Sequence, residues 1–196
     1  RGGRVRDRVP AYASTLSGNP ERDPPERYAD FAEECLERGY PAFKIHPHGN
    51  PDADIDICRA VAERVGEEME LMLDPSSCYA TYADAVRVGK VCDEYDFFWY
   101  EDPYRDAGTS QHGHRRLKDN MDTPILQTEH VRGLELHTDF IANEATDFVR
   151  ADPEYDAGIT GAMKLARVAE GFGADVEFHA PGPAQRHCIA AIRNTN

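Results

Sequence analysis

The sequence has few of the features that mark membrane, nucleic-acid-binding or secreted proteins. No apolar run approaches the roughly 18 residues that a transmembrane helix needs, and no apolar stretch follows the basic first residues, as a secretory signal would require. The chain has four lysines and a net charge of −14, which disfavours nucleic acid and anionic membranes as partners. Scarce lysine beside abundant aspartate fits either a salt-adapted protein or an ordinary solvated acidic surface.

Cysteines and phosphate-binding glycine motifs are also sparse. The five cysteines are scattered and no two are spaced as CxxC, so we expect reduced thiols and a cytoplasmic location. No Gly-x-Gly-x-x-Gly follows a predicted strand, which disfavours a dinucleotide-binding sheet. The length suits one core. Because the first residue is not methionine, we expect a single domain over residues 1–196 that belongs to a longer protein.

What the sequence has in abundance is alternation between strand and helix patterns, without hairpin signals. Strands are predicted at residues 9–14, 42–46, 71–74, 97–100, 124–128, 148–151 and 175–178. Helices are predicted at residues 24–38, 52–65, 82–92, 134–143, 159–171 and 184–193, and a loop or helix rich in His and Arg follows the fourth strand. This order predicts an α/β fold, a parallel TIM-like (β/α)7β barrel that is incomplete in this chain.

Three acidic residues, Asp74, Glu101 and Glu129, each close a short apolar run. They lie 27 and 28 residues apart, close to the roughly 25–30 residues of one strand–helix unit. Consecutive parallel strands end at the same edge of a sheet, so the three side chains would converge there. Carboxylates brought together repel unless a cation lies among them. The spacing therefore predicts a divalent-metal enzyme.

The other strand ends also carry reactive side chains. Lys44 and His46 end the second strand on one face, Asp152 ends the sixth and His179 the seventh. Each has an ordinary alternative, because an Asp at a strand end often caps a helix, a lone His is often a surface or core residue, and a Lys can pair with a carboxylate. Six successive strands that end in this way favour function. A polar cluster after the fourth strand, either a solvated surface or a contact for an acidic substrate or partner, comprises His112, His114, Arg115 and Arg116.

Together these residues resemble the barrel domain of the enolase superfamily, of the mandelate racemase/muconate lactonizing enzyme type and the mandelate racemase subgroup in particular. The resemblance covers nearly the whole chain. The motifs that carry it are Lys44-Ile45-His46, Asp74, Tyr100-Glu101-Asp102-Pro103, Thr128-Glu129-His130, Asp152, Asp156-Ala157-Gly158-Ile159-Thr160-Gly161 and His179.

The resemblance implies a Mg²⁺ ion held by Asp74, Glu101 and Glu129. It also implies that His179 abstracts the α-proton of a carboxylate substrate, with Asp152 orienting the imidazole ring. A hard cation stabilises the enediolate that such a proton transfer produces. We therefore expect a small-molecule carboxylate as the substrate.

Lys44 and His46 would lie on the opposite face of that substrate. His46 departs from the commoner Lys-x-Lys pattern, and an imidazolium is a competent acid for a leaving hydroxyl. This favours dehydration of a sugar acid by a lyase over racemisation or epimerisation of a 2-hydroxy acid. Two alternatives stay open: His46 merely binds a substrate hydroxyl, or the chain is a non-catalytic barrel that retains the metal site. Homo-oligomers are a further expectation.

Two parts of the subgroup's pattern are not found in the chain. A Glu at the end of the eighth strand would fall just past Asn196, and no segment before Val9 is long enough to be the amino-terminal capping domain. We therefore expect the chemical centre to be present without most of the residues that select the substrate.

Overall fold

The computed structural model describes residues 3–15, 18–105 and 108–196, in which strands and helices alternate. The strands are β1 (Ala13–Ser14), β2 (Ala42–Ile45), β3 (Glu70–Leu73), β4 (Trp99–Glu101), β5 (Ile125–Gln127), β6 (Phe148–Ala151) and β7 (Val176–Phe178). The helices are α1 (Pro25–Glu37), α2 (Pro51–Val65), α3 (Tyr82–Glu94), α4 (Gln111–Lys118), α5 (Leu134–Ala142), α6 (Gly158–Phe172) and α7 (Pro183–Ile189).

These residues group into two compact units. The amino-terminal unit comprises the described residues within 11–105 together with Leu117–Pro124. The carboxy-terminal unit comprises residues 3–10 with Gly108–Arg116 and Ile125–Asn196. Each unit is described below by itself.

Strands β1 to β4 of the amino-terminal unit are parallel and follow one another in chain order. Leu71, Met72 and Leu73 of β3 are all buried, as expected for a parallel strand that is covered on both faces. Helix α2 shows why the helices begin where they do: the Asn50 side chain accepts hydrogen bonds from the first free N–H groups, and Pro51 takes the first helical position. This order brings the carboxyl ends of β2, β3 and β4 to one edge.

Strands β5, β6 and β7 of the carboxy-terminal unit are also parallel and in chain order. Val149 and Ala151 of β6, with Val176 and Phe178 of β7, are buried in a core that includes residues of α6. Because side chains alternate along a strand, the residues between them face the other side of the sheet. Asp152 and His179, which follow β6 and β7, stand at the carboxyl edge.

The predicted class, an α/β fold of the TIM type, is confirmed. Seven strands are described, each parallel to its sequence neighbours within its unit, and an eighth strand is not among the described residues. The prediction of one barrel domain over residues 1–196 stays a prediction. No helix of the described ranges has both the length and the apolar character that crossing a membrane requires. None of the five cysteines forms a disulfide with another described residue.

Most predicted boundaries differ from the structure by one or two residues, and two differ by more. Strand β1 covers Ala13–Ser14 rather than residues 9–14, because its pairing with β2 involves these two residues and Pro10 has no N–H to offer a sheet. Helix α7 ends at Ile189 rather than near residue 193. The chain beyond it returns to the sheet, where the Val176 N–H donates a 2.9 Å hydrogen bond to the Asn194 carbonyl.

Candidate active site

At the carboxyl edge of the amino-terminal unit, Lys44, His46, Asp74 and Glu101 form a group that we call the lysine–carboxylate cluster. The Lys44 Nζ lies 2.8 Å from Asp74 Oδ2 and 2.8 Å from Glu101 Oε2. The side chains are buried, with exposed fractions of 7% for Lys44, 5% for Asp74 and 0% for Glu101. One ammonium thus neutralises part of the charge of two carboxylates away from water.

His46 completes this cluster, as its position two residues after Lys44 predicts. Its Nε2 lies 2.9 Å from Asp74 Oδ2, and its Nδ1 lies 2.6 Å from the Thr15 carbonyl oxygen. The Thr15 hydroxyl accepts the His46 N–H at 2.7 Å. A carboxylate oxygen and a carbonyl oxygen thus lie beside the two ring nitrogens, and the Ser14 hydroxyl lies 3.2 Å from Nδ1.

The surroundings of Asp74 favour its ionised form. Burial opposes ionisation, but the nearby charges of Lys44 and His46 outweigh it and hold the pKa of the Asp74 carboxyl well below its usual range. The Ser76 N–H also donates to Asp74 Oδ1 at 2.9 Å. Asp74 is therefore not merely a helix cap, because helix α3 has its own cap, Thr81.

Two buried carboxylates that share one cationic partner suit a hard divalent ion. Asp74 Oδ2 and Glu101 Oε2 both accept from the same Lys44 Nζ, so they are close enough to bind one cation. Carboxylate oxygens are the ligands that Mg²⁺ prefers. The donor set of this unit therefore fits part of a magnesium site.

The loop after His46 is held by a second acidic residue that the sequence did not single out. Asp54 accepts hydrogen bonds from the backbone N–H groups of His48 at 2.9 Å and Gly49 at 3.0 Å, and from the Tyr79 hydroxyl at 2.9 Å. Burial raises the pKa of the Asp54 carboxyl, although these three donors and the charge of His48 oppose the rise. The loop that follows the cluster is thus fixed from inside the unit.

At the carboxyl edge of the carboxy-terminal unit, Glu129, Asp152 and His179 form the histidine–carboxylate cluster. The His179 Nδ1 lies 2.7 Å from Asp152 Oδ2, and its Nε2 lies 3.4 Å from Glu129 Oε1. The exposed fraction of the side chain is 35% for His179 and 3% for Asp152. When Nδ1–H donates this hydrogen bond to Asp152, the lone pair of a neutral ring is at Nε2. The cluster therefore presents a base whose ring is oriented by a buried carboxylate.

Asp152 is itself held by groups that no sequence pattern indicates. Its Oδ1 accepts the Gln185 amide at 3.1 Å and the Glu154 N–H at 2.8 Å. Gln185 comes from the first turn of α7, more than thirty residues further along the chain. A polar residue in a helix that follows a strand is too common for the sequence to mark it.

An aromatic ring stacks on His179. The Tyr155 ring lies 6.3 Å from the imidazole, centroid to centroid, with 20° between the planes. The Arg132 guanidinium carbon lies 4.2 Å from the Tyr155 centroid, a cation–π contact. Arg132 also donates to the backbone carbonyl of Glu129. The loops after β5, β6 and β7 thus meet at the base.

The polar cluster predicted after the fourth strand is only partly on the surface. His112 is exposed, but His114 is fully buried in α4 and its ring lies 6.2 Å from that of Phe140. Its Nδ1 bonds to the Ser110 carbonyl at 2.8 Å. Burial lowers the pKa of His114 to about 4. A surface role for His114 is therefore wrong.

The structure brings the predicted site residues together in two sets. Lys44 and His46 lie with Asp74 and Glu101 in one unit, and Asp152 and His179 lie with Glu129 in the other. The roles of these residues, and a metal site that joins the three acids, stay predictions at this point.

Known proteins similar to this chain include sugar-acid dehydratases. The chain is 28% identical to D-gluconate dehydratase from Thermoproteus tenax over 94% of its own length and 38% of that protein. It is 29% identical to L-talarate/galactarate dehydratase from Salmonella typhimurium, with 96% and 46% covered. The chain thus spans less than half the length of these curated relatives.

Solved structures extend the likeness to the fold. The crystal structure of D-glucarate dehydratase from Agrobacterium tumefaciens, complexed with magnesium, matches with a TM-score of 0.92 and 31% identity, over 98% of this chain and 52% of that one. Residues 27–196 match the family described as "Enolase C-terminal domain-like". The predicted resemblance is confirmed: the chain belongs to the mandelate racemase/muconate lactonizing enzyme branch of the enolase C-terminal domain-like family.

Proposed function

We propose that the protein abstracts the α-proton of a sugar acid in the presence of Mg²⁺ and eliminates water from it, as a lyase. The observation that carries this proposal is the pair formed by Asp152 and His179. A buried carboxylate lies 2.7 Å from Nδ1 and orients the ring, and Nε2, which lies 3.4 Å from Glu129 Oε1, is the nitrogen that would accept the proton. Sugar-acid dehydratases among the relatives support the substrate class.

The metal is proposed to bind Asp74, Glu101 and Glu129. Two of these acids meet at the Lys44 ammonium, and the third lies beside the base at 3.4 Å. When bound, Mg²⁺ would stabilise the negative charge that develops on the substrate carboxylate. Lys44 contributes a fixed positive charge at the same edge, where it also limits the repulsion between Asp74 and Glu101.

His179 is proposed to take the α-proton at Nε2. Asp152 holds the ring in the tautomer that leaves this nitrogen unprotonated, and it stabilises the imidazolium that forms. The ring remains 35% exposed, which gives a substrate access to it. The stacked Tyr155 ring limits tilting of the imidazole.

His46 is proposed to protonate the departing hydroxyl. Its Nε2 lies 2.9 Å from Asp74 Oδ2, beside two proposed metal ligands, and this position supports a role as the acid. Protonation of hydroxide by a positioned acid is what distinguishes elimination from simple exchange of the α-proton.

A racemase or epimerase of a 2-hydroxy acid is the second candidate. One relative, 27% identical over 78% of this chain, is N-succinyl-L-Arg/Lys racemase from Bacillus cereus. Racemisation needs a second base, and the Lys44 ammonium is already bonded to two carboxylates. This contact favours dehydration. A small-molecule acid as the partner and a cytoplasmic location are part of the same proposal, which the free cysteines and the net charge of −14 support.

The test uses the longest form of the protein that its gene encodes, with Mg²⁺ and a library of aldonic and aldaric acids in deuterated water. A 2-keto-3-deoxy product is the expected result. Deuterium at the α-carbon with inversion and no keto product would favour the racemase. Neither exchange nor Mg²⁺ binding would reject the enzymatic function and leave a non-catalytic barrel.

A further inference from the structure

We propose that Asp156, supported by His137, is a positioning residue that fixes the Asp152–His179 pair. The two residues form a second Asp–His pair behind the first, in the same unit. The expected effect on turnover rests on the function proposed above. The expected effect on the orientation of the His179 ring depends only on the loop that carries Asp152.

Asp156 and Asp152 are joined by two hydrogen bonds in opposite directions. The Asp152 N–H donates to Asp156 Oδ2 at 2.8 Å, and the Asp156 N–H donates to the Asp152 carbonyl at 2.8 Å. The loop between them is closed into a tight turn that also carries Tyr155. The turn that Asp156 closes therefore carries both groups that contact the His179 ring, Asp152 through Nδ1 and Tyr155 through its face.

Asp156 is held on its far side by a buried histidine. His137 of α5 is fully buried, its Nδ1 bonds to the Gly133 carbonyl at 2.9 Å, and its Nε2 lies 4.0 Å from Asp156 Oδ2. That separation is too long for a hydrogen bond, but it places the polar edge of the ring against the carboxylate. Helix α5 is thus connected to the loop of the base.

Stability alone does not account for a carboxylate at this position. Asp156 is 6% exposed, and its Oδ1 is buried without a hydrogen-bond partner among the described residues. Such an oxygen typically destabilises the folded state, and more so when it is charged. An apolar residue would avoid that cost, so a side chain with an acceptor oxygen at this position indicates a task other than stability.

The backbone next to Asp156 is strained and tightly packed. Ala157 has a φ of 59°, in the left-handed region that favours glycine. A Cβ at Gly161 would come within 1.6 Å of the Asp156 carbonyl oxygen, so α6 packs directly on this loop. Strained conformations persist where the surroundings impose them, and they are typical of loops that hold reactive groups.

The experiment compares D156A, D156N and a matched control, D147A, in the full-length protein. Asp147 precedes β6 and its Oδ2 accepts the Ile125 N–H at 2.9 Å, so it is a similar contact at the other end of the strands. The first readout is the tautomer of the His179 ring, from long-range ¹H–¹⁵N spectra at a pH where the ring is neutral, with H179N to assign the signals. D156A should shift the ring from the Nδ1–H form towards a mixture.

D156N should retain the Nδ1–H form, because its side-chain oxygen still accepts the Asp152 N–H, and D147A should retain it as well. The second readout is turnover: in D156A we expect kcat to fall about tenfold to a hundredfold with KM within about twofold, since misplacement of a base affects the chemical step. A wild-type tautomer in D156A, or an equal loss in D156N, would overturn the inference. Should the wild type not turn over any sugar acid, the proposed function fails, and the tautomer readout still decides the inference.

Discussion

The two clusters at the strand ends handle charge in different ways. In the lysine–carboxylate cluster, Lys44, Asp74 and Glu101 are almost fully buried and satisfy one another through charged hydrogen bonds. In the histidine–carboxylate cluster, Asp152 is buried but His179 is 35% exposed, and its two nitrogens lie 2.7 Å from Asp152 and 3.4 Å from Glu129. The first cluster holds buried charges that neutralise one another, and the second holds a partly exposed imidazole ring in a fixed orientation.

The difference predicts different responses to mutation. Removal of one member of a buried, mutually neutralised set leaves an uncompensated charge and lowers stability. Removal of a partly exposed base leaves the fold intact and abolishes the proton transfer that the base performs. The four predictions below use this contrast, from the largest expected effect to the smallest.

H179N should lower exchange of the substrate α-proton by about a thousandfold or more, because the amide has no basic nitrogen to accept the proton. Exchange is measured by NMR in deuterated water with Mg²⁺ present. H187N, at an exposed position on α7, is the control. Undiminished exchange in H179N would reject His179 as the base.

K44M should destabilise the protein by about 3–5 kcal/mol, since it leaves the buried carboxylates of Asp74 and Glu101 without their cation. Urea unfolding measures the free energy of unfolding. Saturating Mg²⁺ should recover part of the loss by binding the folded state. K164M, at an exposed position on α6, should change stability by about 0.5 kcal/mol or less. Equal losses of unfolding free energy in K44M and K164M would show that the buried ammonium is not needed for stability.

The comparison between buried and exposed groups also predicts a pH dependence of stability, through the buried His114 of the carboxy-terminal unit. Burial lowers its pKa from the ordinary 6.5 to about 4, so between these values the unfolded chain binds a proton that the folded chain does not. The neutral His114 therefore contributes about 3 kcal/mol to the free energy of unfolding above pH 6.5, and this contribution is lost as the pH falls to 4.

Urea unfolding of the wild type, H114Q and H112Q between pH 7 and 4 measures this contribution. H114Q should flatten the curve by the His114 share, whereas H112Q, which removes an exposed imidazole, should leave it unchanged. A curve for H114Q that parallels the wild type would show that His114 is accessible to protons in the folded state.

E101Q should weaken Mg²⁺ binding about tenfold to a hundredfold, because a neutral amide replaces a charged oxygen ligand. Isothermal titration calorimetry gives the affinity. The control, E94Q, removes a carboxylate that is 53% exposed and pairs with Arg59 on the helix surface. If both variants bind Mg²⁺ as the wild type does, Glu101 is not a ligand.

Sequence periodicity predicted most of the fold because strands of this kind are continuous apolar runs. Leu71–Leu73 is clear in the sequence for that reason, whereas Phe148–Ala151 contains the buried Arg150 and was predicted from the apolar residues around it. The first strand was predicted too long because propensity does not report how many residues pair. The end of α7 was predicted too late because the return of Asn194 to β7 is a long-range contact.

The residues of the candidate site that lie at strand ends could be predicted from the sequence. Lys44 and His46 lie on one side of β2, as a period of two requires, and Asp152 reaches His179 across 27 residues. The residues that hold them were not predictable. Tyr155 and Gln185 act through positions in space that no local pattern specifies.

The order of the strands has a consequence for synthesis of the chain. Each strand of the amino-terminal unit pairs with its immediate predecessor, and the Lys44–Glu101 contact spans 57 residues, all made before Ile125. Compact units fold as wholes, and amino-terminal ones fold first during synthesis. We therefore expect the ammonium to neutralise its two carboxylates while the ribosome is still adding the residues of β5 to β7. Lys44 would then neutralise Asp74 and Glu101 during folding, before these acids could bind the proposed metal.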